Sequence, residues 1–193
     1  PPRTGKIGVE DIEALLGHQG DQHHVQPRVV SLTQATDYGL CYTVEETRRI
    51  CDFAHENGLY VHMDGARLYT ACAALGVSPG EMTHDAGLDV LSLGGTKLGL
   101  LGAEAVLFFR PELAAEFYYI RKQGMQLASK MRFLAVQMET LFQDELWLRL
   151  ANQANAMARM LAEELRQIPG LELTREVQTN MVFALIPPEA VKL

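Results

Sequence analysis

The sequence predicts an α/β protein built on a largely parallel sheet. Three observations carry that prediction. Short apolar runs of strand length recur: "PRVVSLT" (27–33), "LYVHMD" (59–64), "DVLSL" (89–93) and "EAVLFF" (104–109). Helix-patterned segments stand between them, the order expected of βαβ units. The runs are rich enough in apolar residues for strands buried on both faces.

Each element has its own local reason. "GVEDIEALLGH" sets Val9, Ile12, Leu15 and Leu16 on one helical face. The first strand run follows. In "YTVEETRRICDFAHENG", Thr43 and Glu46 make a T-x-x-E capping box, and Gly58 is placed to stop the helix. After Pro111 the texture changes, and residues 112–150 read as helix throughout. A long amphipathic helix then carries Leu146, Leu150, Ala154, Met157, Leu161, Leu165 and Ile168 at intervals of three and four, up to Pro169-Gly170. "LELT" and "NMVFALI" read as strands of a small α+β unit with hardly any sheet. The expected units are therefore 1–111 (part of a large domain), 112–150 (connecting helices) and 151–193 (part of a small C-terminal domain). Internal repeats and low-complexity linkers are absent from the sequence.

Composition narrows the function. A net charge of −7 disfavours nucleic acid or an anionic membrane surface as the main partner. No apolar run approaches the ~20 residues of a membrane span. The first residues lack the basic start and apolar block of a signal peptide, so a cytoplasmic location is expected. Cys41, Cys51 and Cys72 are odd in number and fit no zinc or redox spacing; they read as reduced packing thiols. His18, His23 and His24, in "HQGDQHH", lack the usual zinc-ligand spacing, and no metal is expected.

The residues with chemistry lie beyond strand ends, where open α/β sheets bind ligands. Asp64 ends "YVHMD" and is followed by Gly65-Ala66-Arg67; His62 shares its face of the strand. Asp64 alone could equally be an N-cap or an ion-pair partner of Arg67. Lys97 follows "DVLSL" after the turn Gly94-Gly95-Thr96, 33 residues beyond Asp64. A lysine in such apolar company must snorkel or lose its charge, and one that loses it easily is a nucleophile. The glycines would let backbone and ligand approach closely. A carboxylate, an arginine and a lysine so placed suit a cofactor with an aldehyde to capture and a ring nitrogen to keep protonated, together with an acid substrate to anchor. Pyridoxal phosphate has those features. A nucleotide-phosphate loop fits poorly, because the Gly-x-x-x-x-Gly-Lys-Ser/Thr pattern is absent and Leu98 stands where a hydroxyl should follow the lysine.

"VHMDGARLYTA", "SLGGTKLGLLGAEAVLFF" and "SLTQATDYGLCYTVEE" together resemble the threonine aldolase and β-eliminating lyase group of pyridoxal-phosphate enzymes. The similarity runs through most of residues 4–183. It implies the aspartate-aminotransferase type of fold (fold type I): a large domain with a mostly parallel sheet, plus part of a small α+β domain. It implies that Lys97 holds pyridoxal 5'-phosphate as a covalent aldimine, that Asp64 pairs with the pyridine nitrogen and that Arg67 grips the substrate carboxylate. Thr96 is implied to lie beside the cofactor, and Gln34 or Thr36 near its ring hydroxyl. Lys122 and Lys130 stand where such enzymes place basic residues near the cofactor, or read as a solvated helical face.

The implied reaction is cleavage of 3-hydroxy amino acids, L-threonine or L-allo-threonine, to glycine and an aldehyde. His62 is one candidate for the base. The same three residues would serve β-elimination on another amino acid, and a truncated, non-catalytic cofactor-binding remnant is the remaining alternative. Homo-oligomerisation, as a dimer or tetramer, is expected from the resemblance. So is a chain that begins partway through the large domain and ends inside the small one. The parts then missing would supply the group that stacks on the cofactor ring, part of the phosphate cradle and a second carboxylate-binding arginine.

Overall fold

Four strands form the main sheet of this computed structural model, which describes residues 5–188. They are β1 (Val29–Thr33), β2 (Tyr60–Asp64), β3 (Val90–Gly94) and β4 (Glu104–Phe108), side by side in chain order. β1, β2 and β3 are parallel, and β4 runs antiparallel to β3. The sheet is thus largely parallel, as expected, with one reversal. That reversal follows from chain length. Residues 95–103 are too few for a parallel crossover, which needs a dozen or more residues.

Seven helices accompany the strands among the described residues. α1 (Val9–Leu16) precedes β1, and α2 (Val44–Glu56) joins β1 to β2. α3 (Leu68–Leu75) and α4 (Pro79–Met82) lie between β2 and β3. α5 (Phe117–Gln123), α6 (Arg132–Phe142) and α7 (Leu146–Leu165) follow β4. The expected continuous helix over 112–150 is broken between α5 and α6 and again by a short turn at Gln143–Glu145. α7 ends before Ile168. The two C-terminal strands shrink to Glu172–Leu173 and Ala184–Leu185, an isolated antiparallel pair.

The capping box forms as the sequence predicts. Thr43 Oγ1 accepts the Glu46 N–H at 3.1 Å, and Glu46 Oε2 accepts the Thr43 N–H at 2.8 Å. Glu46 also takes Lys6 Nζ at 2.6 Å. Burial alone would raise the Glu46 carboxyl, but the hydrogen bonds from Lys6 and Thr43 outweigh it and hold the group below the usual carboxylate range. Its contribution to stability is therefore present above the ordinary carboxylate pKa and lost as pH falls through the folded value. Thr43→Ala is expected to cost about 1 kcal/mol in urea unfolding. Glu46→Gln should flatten the acid limb of the stability curve; an unchanged limb would disprove the role.

One face of the sheet is the core. Val30, Leu32, Val61, Met63, Leu91 and Leu93 pack there with Ile50, Ala54, Leu68, Tyr69 and Met82. The other face is not buried in the same way, contrary to the sequence expectation. It carries a polar row in which His62 Nδ1 meets Ser31 Oγ at 2.8 Å and His62 Nε2 meets Ser92 Oγ at 3.0 Å. Alternation along each strand puts these residues on one side. Burial still explains the cysteines. It pushes the Cys41 thiol up to about 11 and those of Cys51 and Cys72 to about 12, so all three stay protonated and unbridged.

α7 packs against α3 with an unexpected face. Ala151, Asn155, Ala158 and Ala162 are buried, and Asn155 Nδ2 donates to the Thr70 carbonyl at 2.8 Å. Leu150, Met157 and Leu161 from the expected apolar stripe remain exposed. Small residues let the two helices approach closely, which a leucine stripe would prevent.

Candidate active site

The three parallel strands deliver their chemistry at one edge. β1 leads into Gln34, β2 into Asp64-Gly65-Ala66-Arg67, and β3 into Gly94-Gly95-Thr96-Lys97. Backbone hydrogen bonds tie these exits together. Gln34 N–H donates to the Asp64 carbonyl at 2.9 Å, Gly65 N–H to that of Ser92 at 2.7 Å, and Arg67 N–H to that of Gln34 at 3.3 Å. The strand ends therefore form one connected platform.

Asp64 is half-buried; its Oδ1 accepts the Ala66 N–H at 2.9 Å. Its second oxygen has no hydrogen-bond partner among the described residues. Arg67 opens α3 and reaches Asp37 only at 3.5 Å, and Asp37 is largely in solvent. Such a contact holds the guanidinium weakly and leaves it able to exchange for a ligand carboxylate. Lys97 sits in a short 3-10 turn, Thr96–Leu98, with the buried Leu98 as its anchor. Lys97 is exposed, the snorkelling outcome of the two that the sequence allowed.

Arg67 and Lys97 line the same cavity, of about 200 Å3, with Ala66, Tyr69, Thr70, Leu98 and Asn180. Asp64 stands at the neighbouring strand end and is not part of that wall. Tyr69 is buried, its hydroxyl has no partner among the described residues, and burial pushes its pKa up, so it stays protonated. The cavity wall thus carries two cationic side chains, a set suited to an anionic small molecule.

Several expected site residues are committed elsewhere. The Gln34 side chain is fully buried and spends its amide on the backbone of Tyr42, accepting at 3.0 Å and donating at 2.8 Å. The amide is thus already paired, and the Gln34 carbonyl, which accepts the Arg67 N–H, helps to seat Arg67. Thr96 Oγ1 donates to Glu104 Oε1 at 2.9 Å, so its donor is already used. Thr36 Oγ1 accepts the Leu40 N–H at 3.2 Å within its own turn. Lys122 and Lys130 are exposed and not in the cavity wall. His62 has both ring nitrogens on serine hydroxyls, and burial lowers its pKa, which favours the neutral ring.

The glycines also act differently from expectation. A Cβ at Gly94 would stand 2.9 Å from Ala66 Cα, and one at Gly95 would meet the Leu100 side chain and the Ala103 carbonyl. They admit the chain itself, closing the turn that carries Lys97 against the Asp64–Arg67 exit.

Asn180 was hidden in "NMVFALI", which reads as a plain strand. The segment before it docks on the loop after β1. Gln178 Oε1 accepts the Cys41 N–H at 2.8 Å, and Thr179 Oγ1 donates to the Gly39 carbonyl at 3.2 Å. Polar residues immediately before an apolar run were the available signal.

Comparison with known proteins places the chain in a family. The model of the family described as beta-eliminating lyase matches residues 1–187. The low specificity L-threonine aldolase of Pseudomonas aeruginosa is 46% identical over 189 residues, covering 98% of this chain and 55% of that protein. Alanine racemase TOXG of Cochliobolus carbonum is 30% identical, covering 94% of this chain and 48% of its own length. The structure of Leishmania major threonine aldolase superposes with a TM-score of 0.92 at 29% identity, covering all of this chain and 56% of that one. This chain spans about half the length of these relatives.

Proposed function

This chain belongs to the beta-eliminating lyase family and has that family's fold-type-I, mostly parallel α/β architecture; from that premise we propose that the whole protein is a pyridoxal-phosphate-dependent carbon-carbon lyase. Its reaction is the low-specificity threonine aldolase type, cleaving L-threonine or L-allo-threonine to glycine and an aldehyde. The observation that carries this reading is the convergence of Arg67 and Lys97 on one cavity beside Asp64. The 46% identity to the Pseudomonas aeruginosa aldolase supports the choice of reaction.

The residues present fit the cofactor. Arg67 and Lys97 bring positive charge to the cavity wall, Lys97 offers an amine with no ion pair among the described residues, and Asp64 keeps one carboxylate oxygen unbonded. Pyridoxal phosphate would supply an electron sink for the bond being broken. Lys97 is the amine to capture its aldehyde, covalently in this proposal. Asp64, as a carboxylate, would keep a ring nitrogen protonated by opposite charge. Arg67 would hold the substrate carboxylate through two parallel N–H donors, a geometry lysine cannot copy. Holding the substrate at both ends fixes which bond lies in the reactive orientation.

A second reading rests on a specific finding. One relative is named an alanine racemase, so residues of this family also serve reactions that break other bonds. β-Elimination on another amino acid belongs to the same alternative.

The rest of the reading has weaker but separate supports. Homo-oligomerisation is favoured by exposed Tyr118, Tyr119, Ile120, Phe133 and Val136 on α5 and α6. Cytoplasmic location is favoured by three unbridged thiols. Among the described residues, no helix is long and apolar enough to cross a membrane. The division into 1–111, 112–150 and 151–193 is favoured by the separate two-stranded sheet of Glu172–Leu173 and Ala184–Leu185.

Borohydride reduction of the protein after incubation with pyridoxal phosphate, followed by peptide mass spectrometry, tests the central assignment. The adduct is expected on Lys97, and threonine should yield an aldehyde. A Lys97 peptide without adduct would sink the assignment. Keto acid and ammonia in place of aldehyde would transfer the function to β-elimination.

A further inference from the structure

The loop between α1 and β1 brings together residues that spacing alone keeps apart on paper. Three successive turns run through it. Gln19 N–H donates to the Leu16 carbonyl at 3.0 Å, Asp21 N–H to that of His18 at 3.1 Å, and His24 N–H to that of Asp21 at 3.1 Å. Repeated i to i+3 bonds align side chains three residues apart. His18, Asp21 and His24 consequently share one side, with their ligand atoms all within 4.8 Å of one another. The two imidazoles stack at 3.9 Å between centroids and 4° between planes. Asp21 Oδ2 lies 2.9 Å from His24 Nδ1.

We propose that His18, Asp21 and His24 form a binding site for a borderline divalent transition-metal ion, of which zinc is the representative. Two imidazoles and a carboxylate are a common zinc donor set, leaving the fourth position to water. Donors on one tetrahedral zinc, each ~2.1 Å from the ion, stand roughly 3.4 Å apart. The closest pair is already nearer than that, and the widest separation closes by rotating exposed side chains.

The loop is organised around its donors. Gln26 Nε2 donates to the carbonyls of His18, Asp21 and His24 at 3.2, 2.9 and 3.0 Å, and Gln26 Oε1 accepts the Gly20 N–H at 2.7 Å. Asp21 Oδ1 accepts the His23 N–H at 2.9 Å, which orients the carboxylate as outer-shell partners do in metal sites. One side chain thus holds all three ligand-bearing residues by their backbones. The site lies before β1, at the sheet edge opposite the strand exits that carry Arg67 and Lys97. Zinc there would clamp the α1–β1 connection and leave cofactor capture untouched.

Isothermal titration of the metal-stripped, purified protein with zinc chloride tests this. One zinc per chain is expected. His24→Ala and Asp21→Asn should each weaken binding at least tenfold, and the His18→Ala, His24→Ala double variant should lose it. Gln26→Ala should weaken binding while leaving all three donors in place. Circular dichroism confirms that the variants fold, which is expected because every change is in an exposed loop. Absence of saturable one-to-one binding overturns the proposal. So does one-to-one binding that survives in the double variant, because other histidines would then be the ligands.

Discussion

Lys97→Ala is expected to lower turnover at least about 10^3-fold, some 4 kcal/mol of transition-state stabilisation, while the protein stays folded. The asymmetry comes from where the residue sits. Lys97 is exposed and makes no ion pair among the described residues, so its removal should shift stability by no more than about 0.5 kcal/mol. The turn is held by Leu98, buried beneath it, and by Gly94 and Gly95 packed against Ala66 and Leu100. Lys97→Arg separates charge from nucleophilicity. Arginine keeps the positive charge at the cavity wall but cannot give up its proton, so the loss should match that of alanine. Thermal unfolding, borohydride adduct and turnover would be measured on the same preparations. An arginine variant that retains activity would show that Lys97 acts only as a cation.

Local features were legible because local residues determine them. The Thr43–Glu46 box needs only four residues, and both of its reciprocal bonds form. The four strand runs of the main sheet appear within a residue or two of where they were expected, and the strand-end positions of Asp64, Arg67 and Lys97 follow directly. The reversal at β4 was not read from the sequence, although the shortness of residues 95–103 was the available signal. What escaped depended on the third dimension. No pattern says that the Gln34 amide turns inward to Tyr42, because both loop and core tolerate a glutamine. α7 has two candidate stripes, and the close approach of α3 selects the alanine one over the leucines. The turn glycines invite a ligand-based reading, yet they make room for neighbouring chain. Asn180 reaches the cavity wall from more than 80 residues beyond Lys97, a distance that sequence spacing cannot resolve.

Asp89→Ala is expected to be the most destabilising single change outside the apolar core, costing about 3–5 kcal/mol in urea unfolding. Asp89 is 1% exposed and sits just before β3. Its carboxylate pairs with Arg110, receives His55 Nε2 at 3.0 Å and accepts the Val61 N–H at 2.6 Å. Its backbone bonds Val61 at 3.0 Å and Phe109 at 2.8 Å. One residue thus joins the C-terminal end of α2, the start of β2 and the residues just beyond β4. Alanine would leave the Val61 N–H and the Arg110 charge without their partner, and an unmade buried bond costs more than a made one contributes. An asparagine side chain could still accept from Val61 but would lose the charge, so Asp89→Asn should fall between wild type and alanine. The effect should extend to the site, because the same strand carries Lys97 beyond its far end, and a frayed β3 loosens the turn Gly94–Lys97. Borohydride labelling of Lys97 should therefore weaken in Asp89→Ala under conditions where the Thr43→Ala protein labels normally. Equal labelling in the two variants would mean that the two ends of β3 are energetically independent.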